Sequence, residues 1–139
     1  MNGFSHHTSV YIFNMSEDVW PFISAMSDMS ARSAEILENV YLGDLRMFQF
    51  ADEDTLVLYV TPHTVSDAFL SYYKSLFPQS KLTVLTTGQH SGVISNDISN
   101  DASVMNALVE AANSTKKLTM TSYAVTPQLY TLIRALRDK

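Results

Sequence analysis

The sequence predicts a three-layer α/β sandwich, a mostly parallel sheet of four to five strands with helices on both faces. Three observations point there. Four short runs rich in leucine, β-branched and aromatic residues recur along the chain, two of them almost continuously apolar, as strands buried on both faces must be. Segments whose apolar residues recur at helical spacing separate these runs. Strands that alternate with helices form βαβ units, whose right-handed crossovers lay the helices over a parallel sheet. Composition agrees: 139 residues, 46% hydrophobic and 17% charged, with only four glycines and four prolines, describe one ordered domain. No linker or internal repeat divides residues 1–139, and residues 1–8 read as a flexible tail.

The elements follow in order. Val10–Phe13 is the first strand. After it, Ser16, Glu17 and Asp18 form a capping cluster with acids at the positive end of a helix, and Val19, Phe22, Ile23 and Met26 share one face. The helical pattern runs on through Ala34, Leu37 and Tyr41, long enough for two helices. Arg46–Phe50 reads equally as the end of this region or as a short fifth strand before the acidic turn Asp52-Glu53-Asp54. Thr55–Val60 is the second strand. Thr64 to Asp67 resembles a capping box, opening a helix through Phe69, Leu70, Tyr73 and Leu76 that Pro78 stops. Leu82–Thr86 is the third strand, expected to be central with the first two. A helix starting near Asn100 or Asp101 aligns Val104, Met105, Leu108, Val109 and Ala112. Leu118–Ala124 is the fourth strand. Thr126-Pro127 then supplies an N-cap followed by proline at the first helical position, and Leu129, Leu132, Ile133 and Leu136 repeat at i, i+3, i+4 and i+7.

Several function classes drop out. The chain has no cysteine, which removes disulfide frameworks, thiol catalysis and thiolate metal sites and fits a reducing compartment. Its first residues lack the Lys or Arg of a signal peptide, and no run has the length and apolarity of a membrane span, so the expected location is cytoplasmic, with no membrane partner. A formal charge of −5 argues against a nucleic-acid partner, because phosphate binding needs clustered cations. Charge is nevertheless polarised: residues 1–69 hold ten acids and two bases, residues 70–139 seven bases and four acids. Solvated faces explain this, as does a basic half that meets an acidic domain or a phosphate ligand.

In an open α/β sheet, ligands bind outside the carboxyl ends of the strands. The loop after the first strand contains no glycine, which excludes a dinucleotide fingerprint there, and no phosphate loop of the G-x-x-x-x-G-K-[ST] type occurs. The segment after the third strand, Thr86 to Asp97, holds two of the four glycines, Gly88 and Gly92, around small hydroxyl residues. Such a loop can expose several N–H donors as a cradle for an anion or carboxylate, or be a plain surface turn. Ser91 lies beside His90 and near Asp97, yet the G-x-S-x-G elbow is absent, which leaves a hydrolase triad little support. His63 and His90 follow neighbouring strands and are too few for a metal site; His6-His7 lies in the expected tail. Trp20 reads as a packing residue at a helix start.

Two ordered strings carry a family resemblance: LTVLTTGQHSGVISNDISND, Leu82 to Asp101, and LTMTSYAVTPQLYTLIRALR, Leu118 to Arg137. They resemble the pre-ATP-grasp domain that precedes the catalytic domains of certain bacterial ATP-dependent carboxylate-amine and peptide ligases, including the pheganomycin-type peptide ligase. Arg46 to Pro62 fits the same pattern more loosely. The resemblance implies a Rossmann-like domain that packs on an ATP-grasp catalytic domain, in cis or in trans, and forms one wall of the substrate cleft. The implied chemistry is phosphorylation of a carboxylate by ATP with magnesium, then attack of an amine on the acyl phosphate. ATP and magnesium would belong to the partner, since the chain stops at Lys139 where the ATP-grasp module would begin. No cofactor, metal site or catalytic residue is expected within residues 1–139. The candidates for contact with a small carboxylate or amino-acid substrate are Gly88, His90, Ser91, Gly92, Asn96 and Asp97 in one loop and Tyr123, Thr126 and Gln128 in the next. Helix capping accounts for Thr126 and Pro127 without a ligand. The alternative is a free-standing α/β module that binds a ligand or another protein without catalysis.

Overall fold

Parallel strands cannot be joined by hairpins, so each connection must cross a face of the sheet. The computed structural model, which describes residues 7–50 and 55–139, shows how this chain does it. Strand β1 (Thr8–Ile12) is followed by helices α1 (Met15–Asp18), α2 (Trp20–Ala25) and α3 (Met29–Arg46) and a 3₁₀ turn at Met47–Phe50. Strand β2 (Leu56–Thr61), helix α4 (Asp67–Leu76) and strand β3 (Leu82–Thr86) come next. Helices α5 (Ile94–Asn100) and α6 (Ala102–Ser114) then lead to strand β4 (Leu118–Ser122) and helix α7 (Pro127–Arg137). All pairings are parallel, in the order β3-β2-β1-β4. The fold is therefore the expected α/β class, a four-stranded Rossmann-like sandwich.

Strand alternation divides the core into two layers. Val10 and Ile12 of β1 and Leu58 and Val60 of β2 point to one face, where Ile94 and Ile98 of α5, Val104, Met105 and Leu108 of α6, and Leu129 and Leu132 of α7 cover them. Tyr11, Phe13 and Tyr59 point to the other, against Met47, Val65 and Tyr73. Tyr11 and Tyr59 are register partners whose rings stack at 5.6 Å. Phe48 sits among Phe69, Tyr72, Tyr73 and Phe77, with ring centroids no more than 6.3 Å away.

That aromatic cluster explains why Arg46–Phe50 is not a fifth strand. A strand would send Met47 and Phe48 to opposite faces, whereas the 3₁₀ turn turns both toward the same layer. Other expectations shift as well. Thr8, expected in a flexible tail, is buried at the start of β1; residues 1–6 and the acidic turn at 52–54 lie outside the described residues. Strand β3 is a half-buried edge rather than a central strand, since β4 takes the place beside β1. The cap of α4 is Ser66, whose hydroxyl accepts from Phe69 N–H, in place of the Thr64 box. Part of the loop expected over 88–97 is helical: α5 begins at Ile94.

Helix α7 shows how a sequence stripe becomes packing. Leu132 is fully buried while Ile133, the next residue, is 38% exposed. Leu132→Ala is therefore expected to lower stability by about 2–5 kcal/mol and Ile133→Ala by clearly less, read from urea unfolding of the two variants. Equal losses would mean that the helix face has been misassigned.

Candidate functional site

The strand order reverses at β1, so the crevice expected to receive a ligand lies between the carboxyl ends of β1 and β4. In this chain protein groups fill it. Asn14, fully buried just after β1, donates from Nδ2 to the Ala124 carbonyl at 2.9 Å and accepts at Oδ1 from Ala124 N–H at 2.9 Å. The side-chain amide thus reads both backbone groups of one residue, extending the sheet past its last ladder bond. Ser122 Oγ donates to the same carbonyl at 2.8 Å.

Three residues further, the buried Glu17 carboxylate gathers two other elements. It accepts from Ser95 N–H at 3.0 Å, from Ser95 Oγ at 3.1 Å and from the Thr126 hydroxyl. Thr126 meanwhile caps α7, accepting from Leu129 N–H at 3.1 Å. One hydroxyl so closes a helix and anchors a carboxylate. Neither Asn14 nor Glu17 caps α1 with its side chain, as the acidic cluster after the first strand had suggested for that helix start.

The glycine-rich segment lies beside this network and is pinned from several sides. Gly88 N–H donates to Asp101 Oδ2 at 2.9 Å, and Ser91 N–H to Asp97 Oδ2 at 2.9 Å. Val93 N–H donates to Ser91 Oγ at 3.3 Å. Three of the donors that a cradle would offer to an anion, the N–H groups of Gly88, Ser91 and Val93, are thus held by the protein's own carboxylates and hydroxyl. Asp101 also caps α6 by accepting from Ser103 and Val104 N–H groups, and these bonds, that from Gly88 foremost, hold its carboxyl below the usual range. Gly92 adopts φ +99°, and a β-carbon there would come within 2.0 Å of the Trp20 ring. Its lack of a side chain seats Trp20 in the fold, and Ser16 Oγ donates to its carbonyl at 2.9 Å. Trp20 is a packing residue, as expected, with the Arg32 guanidinium 5.1 Å above its ring.

His90 Nδ1 lies 3.4 Å from Asp97 Oδ2, while its Nε2 is buried without a hydrogen-bond partner among the described residues. Burial lowers the pKa of the ring below that of a free imidazole, and Asp97 raises it only part of the way back. No hydrogen bond joins His90 to the Ser91 hydroxyl, so no triad is assembled. The remaining candidates separate. Asn96 is an exposed residue in the first turn of α5, and Gln128 is half-buried in α7. Tyr123 packs edge-on against Phe13 at 5.9 Å with the Arg46 guanidinium over its ring. Glu17, hydrogen-bonded to Ser95 and Thr126, joins the two segments that carry the candidates, and α5 and α7 pack together through Ile94, Ile98, Leu129 and Leu132. An open depression of about 620 Å³ is lined by Gly88, Gln89, Asp97, Asn100, Asp101 and Ser103. Its acidic rim suits an amine or ammonium group rather than a carboxylate.

Sequence reasoning missed Asn14, Glu17, Ser95 and Ala124, because polar residues beside a helix start look like caps until their distant partners are known. Two outcomes follow from this geometry. Glu17→Gln places an amide donor where three donors already converge, and is expected to cost about 1.5–3 kcal/mol in chemical unfolding. For His90, the unfolded chain takes up its proton first as pH falls. Its contribution to stability is full above the free-imidazole value and is lost as pH drops through the lower native value. An NMR titration is expected to place His90 below a free imidazole, and Asp97→Asn to lower it further.

The profile of the pre-ATP-grasp domain family matches residues 44–137, from the end of α3 through α7. No curated protein and no solved structure matches the chain. The matched stretch covers most of the sequence and includes three of the four strands, the glycine-rich segment and the capped last helix, and the chain belongs to the pre-ATP-grasp domain family.

Proposed function

We propose that this chain is the accessory domain of an ATP-dependent carboxylate-amine ligase, of which the pheganomycin-type peptide ligases are one kind. It docks on an ATP-grasp catalytic module, in cis or in trans, and lends the carboxyl edge of its sheet as one wall of the substrate cleft. ATP and magnesium belong to that module. The observation that supports this reading best is the rigid polar edge built on Glu17, Asp97 and Asp101 in a chain of this family. Residues that cap and clasp one another hold a fixed surface against which a substrate can be oriented.

Within this wall the acidic depression beside Asp97 and Asp101 receives the amine end of the substrate, and the exposed Tyr123 ring flanks the cleft on the β4 side. The reacting carboxylate faces the catalytic module, where its phosphoryl donor is bound. His90, Ser91, Asn96 and Gln128 contribute shape and polar contact at the same edge, and none of them forms a covalent intermediate.

The test pairs this chain with its ATP-grasp module and measures ADP release together with amide formation. Residues 1–139 alone are expected to release no ADP. In the assembled enzyme Asp97→Asn is expected to raise KM for the amine substrate by about tenfold, the scale of one charged hydrogen bond, while ATP affinity stays unchanged. Magnesium-dependent ATP turnover by residues 1–139 alone would refute the accessory role.

A further inference from the structure

Helix α2 carries an apolar stripe that the core takes up only in part. Val19, Phe22, Ile23 and Met26 recur at i, i+3, i+4 and i+7, the spacing of a helix face that packs. Ile23 alone among them is buried; Val19 and Met26 are half-buried, and Phe22 is 79% exposed. A lone apolar residue at a surface is ordinary, whereas one that continues a half-buried stripe into a groove marks a contact surface. These four residues line an open groove of about 380 Å³, and Glu35 of α3 lines it with them.

The two walls differ in chemistry. On α3, Asp28, Glu35 and Glu38 stand at i, i+7 and i+10, on one side of the helix, and Asp18 lies one turn before Phe22. All four acids are exposed. Asp28 is held in place as it accepts from Ser30 and Ala31 N–H groups at 2.9 and 3.1 Å. From Met15 to Glu38 the chain has one base, Arg32, and its guanidinium lies over the Trp20 ring. An apolar wall beside an acidic one complements a surface that is apolar along one stripe and cationic on its flanks.

Backbone geometry narrows the occupant further. Both walls are helices, whose N–H and C=O groups bond internally, so the groove offers no ladder to a strand and recognises side chains alone. A helix with apolar residues every three or four positions presents those side chains in a row. A second copy of this chain, with its bases Arg134 and Arg137 on α7, is the competing occupant. That contact would join two unlike surfaces and propagate into filaments unless it closed into a ring, which disfavours it.

We infer that the α2–α3 groove receives a cationic amphipathic helix of a partner protein, its apolar stripe on Phe22 and Met26 and its bases facing the acids of α3. The groove lies ahead of the family-matched stretch 44–137, and the inference goes beyond the ligase reading, holding whatever reaction the domain serves. The probe is a capped peptide with leucine at i, i+3, i+4 and i+7 and lysine elsewhere, added to the full chain. It is expected to shift the NMR methyl signals of Val19, Ile23 and Met26 and to bind more weakly as salt rises. Phe22→Ser, at an exposed position, is expected to weaken binding by about tenfold and to leave the urea midpoint unchanged. Glu38→Lys is expected to weaken it roughly threefold to tenfold and carries the test if the Phe22 variant disturbs the fold. Equal binding of a peptide with glutamate in place of lysine, methyl shifts confined to α7, or self-association that shifts the same three methyls without peptide would each overturn the inference.

Discussion

A buried carboxylate must be met by donors, and the positions of Ser95 and Thr126 follow from meeting that of Glu17. Its three hydrogen bonds join segments 78 and 109 residues apart in the sequence. Ser95 lies in the first turn of α5 and Thr126 is the cap of α7, so the start of each helix is set by the same group. Leaving such a group unsatisfied costs more than one bond contributes, which couples the positions of α1, α5 and α7. Asn14 adds a second clamp at the β1–β4 junction, where the sheet would otherwise splay.

This clamping has a consequence for ligand binding. The switch point of an α/β sheet is usually open because the helices on its two sides diverge, and here Asn14 and Ala124 close it. The polar surface left at the carboxyl edge lies to the β3 side, over the glycine-rich segment, with Asp97 and Asp101 at its rim. Both carboxylates already hold backbone N–H groups, which fixes their orientation and leaves further lone pairs for a cationic group. The loop whose glycines suggest an anion cradle also carries a carboxylate rim, Asp97 and Asp101, that holds two of its N–H groups.

Much of the fold was legible in the sequence, and the reasons differ between elements. Strands β1 and β2 and helix α7 are written locally, by apolar runs and by the Thr126-Pro127 start, so they need no knowledge of distant partners. The 3₁₀ turn at Met47–Phe50 was not legible, because its geometry answers to Tyr73 and Phe77 on a helix that comes later in the chain. Helix α5 was hidden for a similar reason: Ser95, Asn96 and Asp97 are weak helix formers, and the helix is held by Ile94 and Ile98 in the core and by Glu17 at its start. At the site, His90, Ser91 and Asp97 were placed together by proximity in sequence. Gly92 was marked out by type, and its packing against Trp20 was not legible, since nothing in its neighbours points to that ring.

The charge asymmetry along the chain also resolves into geometry. The two bases among residues 1–69, Arg32 and Arg46, each lie over an aromatic ring, Trp20 and Tyr123. They are thereby committed within the fold, and the exposed acids Asp18, Asp28, Glu35 and Glu38 keep a net negative surface around α1–α3. Among the described residues the bases at β4 and α7, Lys116, Lys117, Arg134 and Arg137, show no such internal partner and are exposed. Each face therefore presents a field of one sign, a dipolar arrangement that orients an approaching partner before any contact forms and that weakens as salt is added. An orienting field of this kind matters most for a domain whose work is done against another protein surface, because docking in the wrong orientation would carry its fixed polar edge away from the substrate.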